Sequence, residues 1–421
     1  MEASTIAVHW HDENKPIYSV DFQPTKNQSE SNRLATAGGD NNVRIWKVVG
    51  TSIEYLSTLI KHTQAVNVVR FNPSGDVIAT AGDDGHIFLW KKNDTISKDM
   101  NNENDKDLKE SWQVVCVITI GDELSDLCWC ENNFIAVGSL KNVLRVFRIR
   151  AIESMNYKGT LIKTFEDNDH YVQGLSYSNH YLFTQSADRT IITYKFEGED
   201  IIKLHKFQKI GNVQMYQSES LQSFFRRLKT SPDGSLLITP AGLDENGSHC
   251  IYIYSLKNLS DGPIIRLTGF NKPAIAIAFN PIKYESTSLP YTLVFAIATI
   301  DSVIIYSTEN KFAPLGQVSN LHYQGITDLV WDKDGSKLII SSIDGFCSII
   351  KFDTGKFGTP IKAEHIVKEI SQNIPLKEST NIKASPEHKK TPTIDTFFNN
   401  SKSKQTPKKE KKRITPTLIP K

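Results

Sequence analysis

Two stretches of the chain, LATAGGDNNVRIW at Leu34–Trp46 and IATAGDDGHIFLW at Ile78–Trp90, are copies of one pattern. Each copy begins with a short apolar strand, passes through Thr, small residues and an Asp, and ends in an aromatic residue six positions after that Asp. Apolar and polar residues alternate with a period of two, as half-buried antiparallel strands require. Gly-Asp and Asp-Gly pairs supply the tight turns. The pattern predicts a repeated β-hairpin.

Further copies extend this repeat along the chain. Leu182–Tyr194 retains the Asp as Asp188, and Phe134–Phe147 is a weaker copy because Lys141 replaces that Asp. Three shorter matches complete a set of seven: Ser248–Tyr254, Ile300–Tyr306 and Asp344–Ile350. The copies end 44 residues apart at Trp46 and Trp90, 47 apart at Phe147 and Tyr194, and again 44 apart at Tyr306 and Ile350, close to the ~40–45 residues of a propeller blade repeat. The sequence predicts an all-β fold, a seven-bladed WD40 β-propeller.

The ends and inserts of this propeller can also be predicted. A ring must close, so the alternating segment Thr5–Trp10 is expected to supply the outermost strand of the last blade. Two polar inserts, residues 93–110 and 208–223, lengthen two of the repeats. The inner strands of the last blade are expected at Ile326–Trp331, Lys337–Ser342 and Phe346–Phe352. The predicted propeller occupies residues 1–370, followed by a tail at residues 371–421.

The repeated polar residues are interpreted as structural. An Asp, the Thr four residues before it, a preceding His and the terminal Trp can share one hydrogen-bond chain whose buried members satisfy one another. In the second blade this network is His62, Thr80, Asp84 and Trp90, and in the first it is His11, Thr36, Asp40 and Trp46. We therefore expect no catalytic residue among them.

Several function classes find no support in the sequence. There is no GxxxxGK[ST] phosphate loop, GxSxG elbow, HExxH pair or second Cys/His pair beside Cys128 and Cys130. The five cysteines are scattered, which favours reduced thiols. Apolar runs are of strand length, and no secretory signal precedes the repeats. We expect no enzyme activity, no cofactor, no small-molecule substrate and no membrane contact.

Charge is divided along the chain. Residues 375–421 carry 12 Lys/Arg and 4 Asp/Glu, whereas the remainder has 37 basic and 43 acidic residues. An acidic body would suit a basic partner, although the excess is mild and a solvated surface without electrostatic purpose is the simpler explanation. After Pro375 the periodicity ends, and a Lys-, Ser- and Pro-rich composition predicts a disordered basic tail.

Particular blade sequences resemble one family. WHDENKPIYSVDFQP at Trp10–Pro24, KHTQAVNVVRFNPSG at Lys61–Gly75, SFFRRLKTSPDGSLLITPAG at Ser223–Gly242 and SSIDGFCSIIKF at Ser341–Phe352 are similar to the WD-repeat middle subunit of chromatin assembly factor. The resemblance covers residues 5–365. The related histone-regulator (HIRA-type) propeller shares the opening pattern and is the alternative, as is a generic WD40 adaptor in another nuclear complex.

The resemblance implies a nuclear, non-catalytic scaffold in a histone H3–H4 chaperone for replication-coupled nucleosome assembly. The implied partners are the large and small subunits of the assembly factor, the anti-silencing histone chaperone and histones H3–H4, bound directly or indirectly. Phe224, Phe225, Arg226 and Arg227 are interpreted in two ways. As an alternating strand over residues 224–230 they would be core and internal ion pairs, and as a patch they would contact an acidic segment of a partner subunit.

The tail contains three short motifs. TPTIDTFF at Thr391–Phe398 resembles sliding-clamp (PCNA) peptides, with Ile394, Phe397 and Phe398 on one face of a helical turn, although Thr391 replaces the usual Gln. Other partners, or no function, remain alternatives for it. A nuclear import signal is predicted at Lys408, Lys409, Lys411, Lys412 and Arg413, or else a solubilising run. KKRITPTLIP resembles the motif that binds the anti-silencing chaperone, implicating Lys412, Arg413, Ile414, Pro416 and Leu418.

Overall fold

The computed structural model describes residues 1–24, 32–96, 107–198, 200–221, 223–309 and 312–361. This part of the chain folds into seven four-stranded antiparallel sheets. The innermost strands of successive sheets contact one another, and the last contacts the first. The predicted all-β, seven-bladed propeller is therefore confirmed. The predicted tail motifs all lie outside the described residues.

The first three blades follow the predicted repeats. Blade 1 contains β2 Ile17–Phe22, β3 Arg33–Gly38, β4 Asn42–Val49 and β5 Ser52–Ile60, after a closing strand β1 Glu2–Ile6 and a short 3₁₀ helix Asp12–Asn14. Blade 2 contains β6 Val66–Phe71, β7 Val77–Gly82, β8 His86–Lys92 and β9 Trp112–Thr119. Blade 3 contains β10 Leu124–Cys130, β11 Phe134–Ser139, β12 Leu144–Glu153 and β13 Asn156–Phe165.

The remaining blades complete the ring. Blade 4 contains β14 Val172–Ser178, β15 Tyr181–Ser186, β16 Ile191–Glu197 and β17 Asp200–Phe207, and a small hairpin of β18 Lys209–Ile210 and β19 Val213–Gln214 follows. Blade 5 contains β20 Lys229–Thr230, β21 Leu236–Leu243, β22 His249–Ser255 and β23 Pro263–Phe270, with a 3₁₀ helix at Leu256–Asp261. Blade 6 contains β24 Ala274–Tyr284, β25 Thr292–Thr299, β26 Ser302–Ser307 and β27 Pro314–Ser319. Blade 7 contains β28 Ile326–Trp331, β29 Lys337–Ser342 and β30 Cys347–Lys351.

The N-terminal strand closes the ring by pairing with the last blade. β1 runs antiparallel to β30, from Glu2 opposite Lys351 to Ile6 opposite Cys347. The strand therefore begins and ends earlier than the predicted Thr5–Trp10. The reason is Trp10, whose fully buried indole packs 4.9 Å from the Trp46 ring and donates Nε1–H to the Ile6 carbonyl at 3.1 Å. Its place in the blade 1 core ends the strand.

Both inserts are anchored to the propeller where the structure describes them. The described end of the first insert includes Glu110, a buried carboxylate that accepts hydrogen bonds at 2.8 Å from Arg33 Nε on blade 1. The second insert is polar in composition, but two of its residues, Met215 and Tyr216, are buried in the hydrophobic core of blade 5. Each insert thus supplies buried residues to a neighbouring blade.

We call the side of the ring where the innermost strands begin the upper face, and the side where they end the lower face. The last described residues cross the lower face under blade 6. Phe357 packs 5.9 Å from the Trp331 ring, and the Ile361 N–H donates to the Lys283 carbonyl at 2.9 Å. The last described residue therefore lies at the lower face.

Candidate functional site

The blade 1 residues of the expected network form one continuous hydrogen-bond chain. Trp46 Nε1 donates to Thr36 Oγ1 at 3.0 Å, and Thr36 Oγ1 lies 2.9 Å from His11 Nε2. His11 Nδ1 lies 2.6 Å from the Asp40 carboxylate. Burial lowers the pKa of His11, so the neutral imidazole donates to Asp40 and accepts from Thr36. Although burial opposes it, hydrogen bonding to His11 lowers the pKa of Asp40 to about 2.

Blade 2 contains the same chain of contacts. His62 Nδ1 lies 2.9 Å from Asp84 Oδ2, and its Nε2 lies 2.8 Å from Thr80 Oγ1. Trp90 Nε1 donates to the same Thr80 oxygen at 3.0 Å. Every polar group in the chain has a partner within the blade, as is typical of buried polar groups that stabilise a fold.

Blade 7 has an incomplete network that the sequence pattern did not predict. His322 Nδ1 lies 3.2 Å from Asp344, the separation in sequence being the same 22 residues as between His62 and Asp84. Ile340 occupies the position that corresponds to Thr80, and it has no hydroxyl. Within the described part of the chain, the buried Nε2 of His322 therefore has no hydrogen-bond partner. The His-to-Asp spacing could have revealed this pair.

Two blades replace the network with other chemistry. In blade 3 the charges are exchanged: Lys141, at the position of the repeat Asp, pairs with Asp122 at 2.7 Å, and Arg145 pairs with the same carboxylate at 2.9 Å. In blade 5 the Tyr216 hydroxyl lies 3.0 Å from Thr239 Oγ1 and 2.7 Å from the Tyr254 hydroxyl. The second insert thus supplies a Tyr where other blades use His.

The segment Phe224–Arg227 is not the alternating strand that was predicted. Only Lys229–Thr230 pairs as β20, because the Arg227 backbone instead bonds to blade 6, accepting from Ile277 N–H at 3.0 Å. Phe225, Arg226 and Arg227 are buried, and Phe224 is half-buried. Both arginines are fully or almost fully buried, so they do not form a surface patch in the folded ring.

Arg226 is held within its own blade. Its guanidinium donates to the carbonyls of Gln217, at 2.7 Å, and Ser218. Burial lowers the pKa of Arg226 to about 10. Neutral carbonyls therefore replace water around this charge, and they fix the second insert to the start of blade 5.

Arg227 joins four blades across the central channel. It forms an ion pair with Asp328 of blade 7, and it donates to Ser19 Oγ of blade 1 at 3.1 Å and to the Asn67 carbonyl of blade 2 at 3.0 Å. Arg70 also pairs with Asp328, at 3.1 Å. Asp328 is 4% exposed; burial opposes its ionisation, but the two arginines lower its pKa.

A cavity of about 550 Å³ extends from this ion cluster to the lower face. Its floor includes Asp126, whose Oδ2 accepts from Leu175 N–H at 2.8 Å and whose buried Oδ1 has no partner among the described residues. Burial raises the pKa of Asp126. Aromatic residues at the lower ends of the innermost strands, including Phe22 and Trp331, form the walls. The channel is closed above by Phe225, which lies 4.4 Å from the Arg227 guanidinium.

Metal and membrane sites find no support in the described part of the chain. No group of three or more His, Cys, Asp or Glu side chains there could hold a metal ion. Nor is any helix described there long and apolar enough to cross a membrane. All five cysteines are free thiols.

Comparison with known proteins covers this whole ring. The model of the CAF1B/HIR1 β-propeller domain matches residues 1–357, from the closing strand to the last blade. The chain belongs to the CAF1B/HIR1 β-propeller family. The resemblance drawn from the blade sequences is thereby confirmed.

Three relatives within the family are named as subunits of chromatin assembly factor 1. The Saccharomyces cerevisiae protein is 36% identical, covering 86% of this chain and 88% of its own length. The Schizosaccharomyces pombe protein is 33% identical over the full length of both chains, and the Mus musculus protein is 36% identical over 87% of this chain and 69% of its own. Protein HIR1 of Kluyveromyces lactis is more distant, at 25% identity over 84% of this chain and 43% of its own length.

Proposed function

We propose that the chain is a non-catalytic scaffold subunit of a chromatin assembly factor, which places histones H3–H4 on newly replicated DNA in the nucleus. The observation that carries the proposal is the similarity to proteins named as chromatin assembly factor 1 subunits over nearly the whole propeller. Fold alone would not suffice, because propellers serve many functions. The higher identity to these relatives than to HIR1 favours the assembly factor.

The packing of the propeller supports a scaffold role. In the two complete networks each buried His and Asp is bonded within its own blade, so these residues stabilise the ring. The buried arginines likewise join blades or fix an insert. A rigid ring can hold the large and small subunits of the complex on its outer surfaces. We expect it to bind them through exposed loops, which a rigid scaffold positions well.

The tail would recruit the anti-silencing histone chaperone. Its motif at Lys412, Arg413, Ile414, Pro416 and Leu418 lies outside the described residues, so its support is the sequence itself. Ile361 lies at the lower face, 50 residues before Lys411. An extended chain spans up to ~3.3 Å per residue. The chaperone could therefore be bound at a distance from the ring. The overlapping basic run would first serve nuclear import.

The recruitment is tested by calorimetry on the full chain. We expect micromolar binding of the anti-silencing chaperone, abolished by a combined Arg413→Ala and Ile414→Ala change, because one loses a cation and the other an apolar anchor. A combined Gln405→Ala and Thr406→Ala change beside the motif is the matched control and should bind like the unchanged protein. Equal binding by both variants would remove the tail from the proposal.

The partner that the chain binds distinguishes the proposed role from a HIR1-like role or a generic adaptor role. The family model includes HIR1, and the HIR1 relatives align with most of this chain. Co-purification of the full chain with the large subunit of the assembly factor supports the main proposal, and co-purification with HIR-complex subunits instead would replace it. Binding of PCNA through Ile394, Phe397 and Phe398 is tested in the same assay by changing both Phe residues to Ala.

A further inference from the structure

The upper mouth of the channel is covered by a run of aromatic side chains. Tyr18 of blade 1 lies 5.9 Å from Phe225, which contacts Phe224 at 5.0 Å. Phe224 in turn stacks on Tyr171 of blade 4, with ring centroids 5.4 Å apart and planes 10° from parallel. Phe225 is buried, whereas Tyr18, Phe224 and Tyr171 are half-exposed. The mouth thus presents aromatic faces to solvent over a plugged channel.

Carboxylates lie at the Tyr18 end of this run. Burial raises the pKa of the Tyr18 hydroxyl, and the negative charge of Asp83, in the turn between β7 and β8, raises it further. The neutral Asn67 side-chain amide donates to Asp83 at 2.6 Å and to the Leu124 carbonyl at 2.9 Å, which places the exposed Glu123, directly before Leu124, near Asp83. Burial raises the pKa of Asp83, and the negative charge of Glu123 raises it further. No described cation forms an ion pair with Asp83 or Glu123, unlike many acids elsewhere on the ring.

These two features together have the chemistry of a cation site. Two carboxylates that repel each other lose that repulsion when a positive charge lies between them. Aromatic faces beside them attract a Lys or Arg side chain through its charge and its apolar stem. The residues come from separate blades, and the closed ring brings those blades together.

We propose that the upper mouth, formed by Tyr18, Asp83, Glu123 and Phe224, binds a basic peptide and places one of its Lys or Arg side chains between the carboxylates. The favoured occupant is a Lys- and Arg-rich histone segment. This inference deepens the proposed function and rests on it, since it gives the cargo a direct contact on the propeller. Ile361, the last described residue, lies on the opposite, lower face of the ring.

The test is a fluorescence anisotropy titration of the full chain. The probe is a labelled peptide of arginines separated by glycine and serine, and its partner probe has glutamine in place of each arginine. We expect the Asp83→Asn/Glu123→Gln protein to bind the arginine probe about tenfold or more weakly, because two charges are lost at short range. An Asp261→Asn/Glu285→Gln protein makes the same change of net charge with residues away from the upper mouth, and it should bind normally.

The outcomes separate the alternatives. If the control protein loses as much affinity as the upper-mouth protein, the attraction is a property of the whole acidic surface and the proposal fails. If replacing the basic residues at 408, 409 and 411–413 with Gln makes the probe bind markedly tighter, the chain's own tail is the occupant, which also overturns it. Because chaperone calorimetry and large-subunit co-purification do not involve Asp83, they judge the proposed function independently.

Discussion

The buried cluster around Asp328 makes the sharpest prediction about stability. Asp328→Asn leaves Arg227 and Arg70 in the channel without their shared counter-ion. Removing one partner of a buried ion pair costs about 3–5 kcal/mol, because the other charge stays desolvated. Arg227→Met should cost less, about 1–3 kcal/mol, since Arg70 still neutralises Asp328 and the main loss is the bond to the Asn67 carbonyl.

Thermal unfolding of the full chain measures this order. At about 1.3 °C per kcal/mol for a folded domain of this size, Asp328→Asn should lower the midpoint by about 4–7 °C. Arg227→Met should fall between it and the unchanged protein. Glu197→Gln, which breaks the exposed contact with Lys195, is the control and should leave the midpoint unchanged. The assignment of Asp328 as the shared counter-ion is refuted if Asp328→Asn unfolds at the same midpoint as the control, or if Arg227→Met has the lower midpoint of the two variants.

Three further predictions concern the blade networks. Thr80→Val should destabilise the protein by about 1–3 kcal/mol, because the buried ring nitrogens of His62 and Trp90 lose their hydrogen-bond partner. Thr80→Ser keeps the hydroxyl and should retain most of the stability. Equal losses of unfolding free energy in denaturant for the two variants would contradict this. Ile340→Thr should lower the free energy of unfolding by less than Ile350→Thr, a buried control in the same cluster, because the hydroxyl at position 340 can bond to His322 Nε2. The reverse order would refute the assignment of Ile340 to the position of Thr80. The lowered pKa of His11 favours the neutral imidazole in the folded state, so stability should fall as pH drops below about 6.5, and His11→Gln should reduce that slope in pH-dependent melting.

Much of the fold could be predicted because its signals are local. The alternation within Leu34–Trp46 and Ile78–Trp90, with turn residues between the strands, specified paired strands, and repetition specified the number of blades. The Thr, Asp and Trp positions of blades 1 and 2 recur at fixed spacing and a His precedes each set, so their grouping followed from the repeat. Where the pattern degenerates, in blades 3 and 5, the sequence could not indicate that Lys141 would face Asp122 or that Tyr216 would replace a His.

The channel was not predictable in the same way. Arg227 and Asp328 are 101 residues apart, and they meet only because the ring brings blades 5 and 7 to one axis. From the sequence, the pair of arginines could therefore belong either to the core or to a partner patch, and the closed ring buries them. The same holds for Tyr18, Asp83 and Glu123, which lie in three separate repeats and become neighbours only at the upper mouth.

The amino-acid sequence specifies the strand pattern, the seven-fold repeat and the family, because each depends on residues close together in the chain or on their similarity to known blades. Which charges are buried, and which remain free at the surface, depends on the folded ring. The physical reason is that burial is set by the blades that become neighbours when the ring closes. Closure places Arg227 beside Asp328 in the interior, and it leaves Asp83 and Glu123 together at the mouth without a described cation.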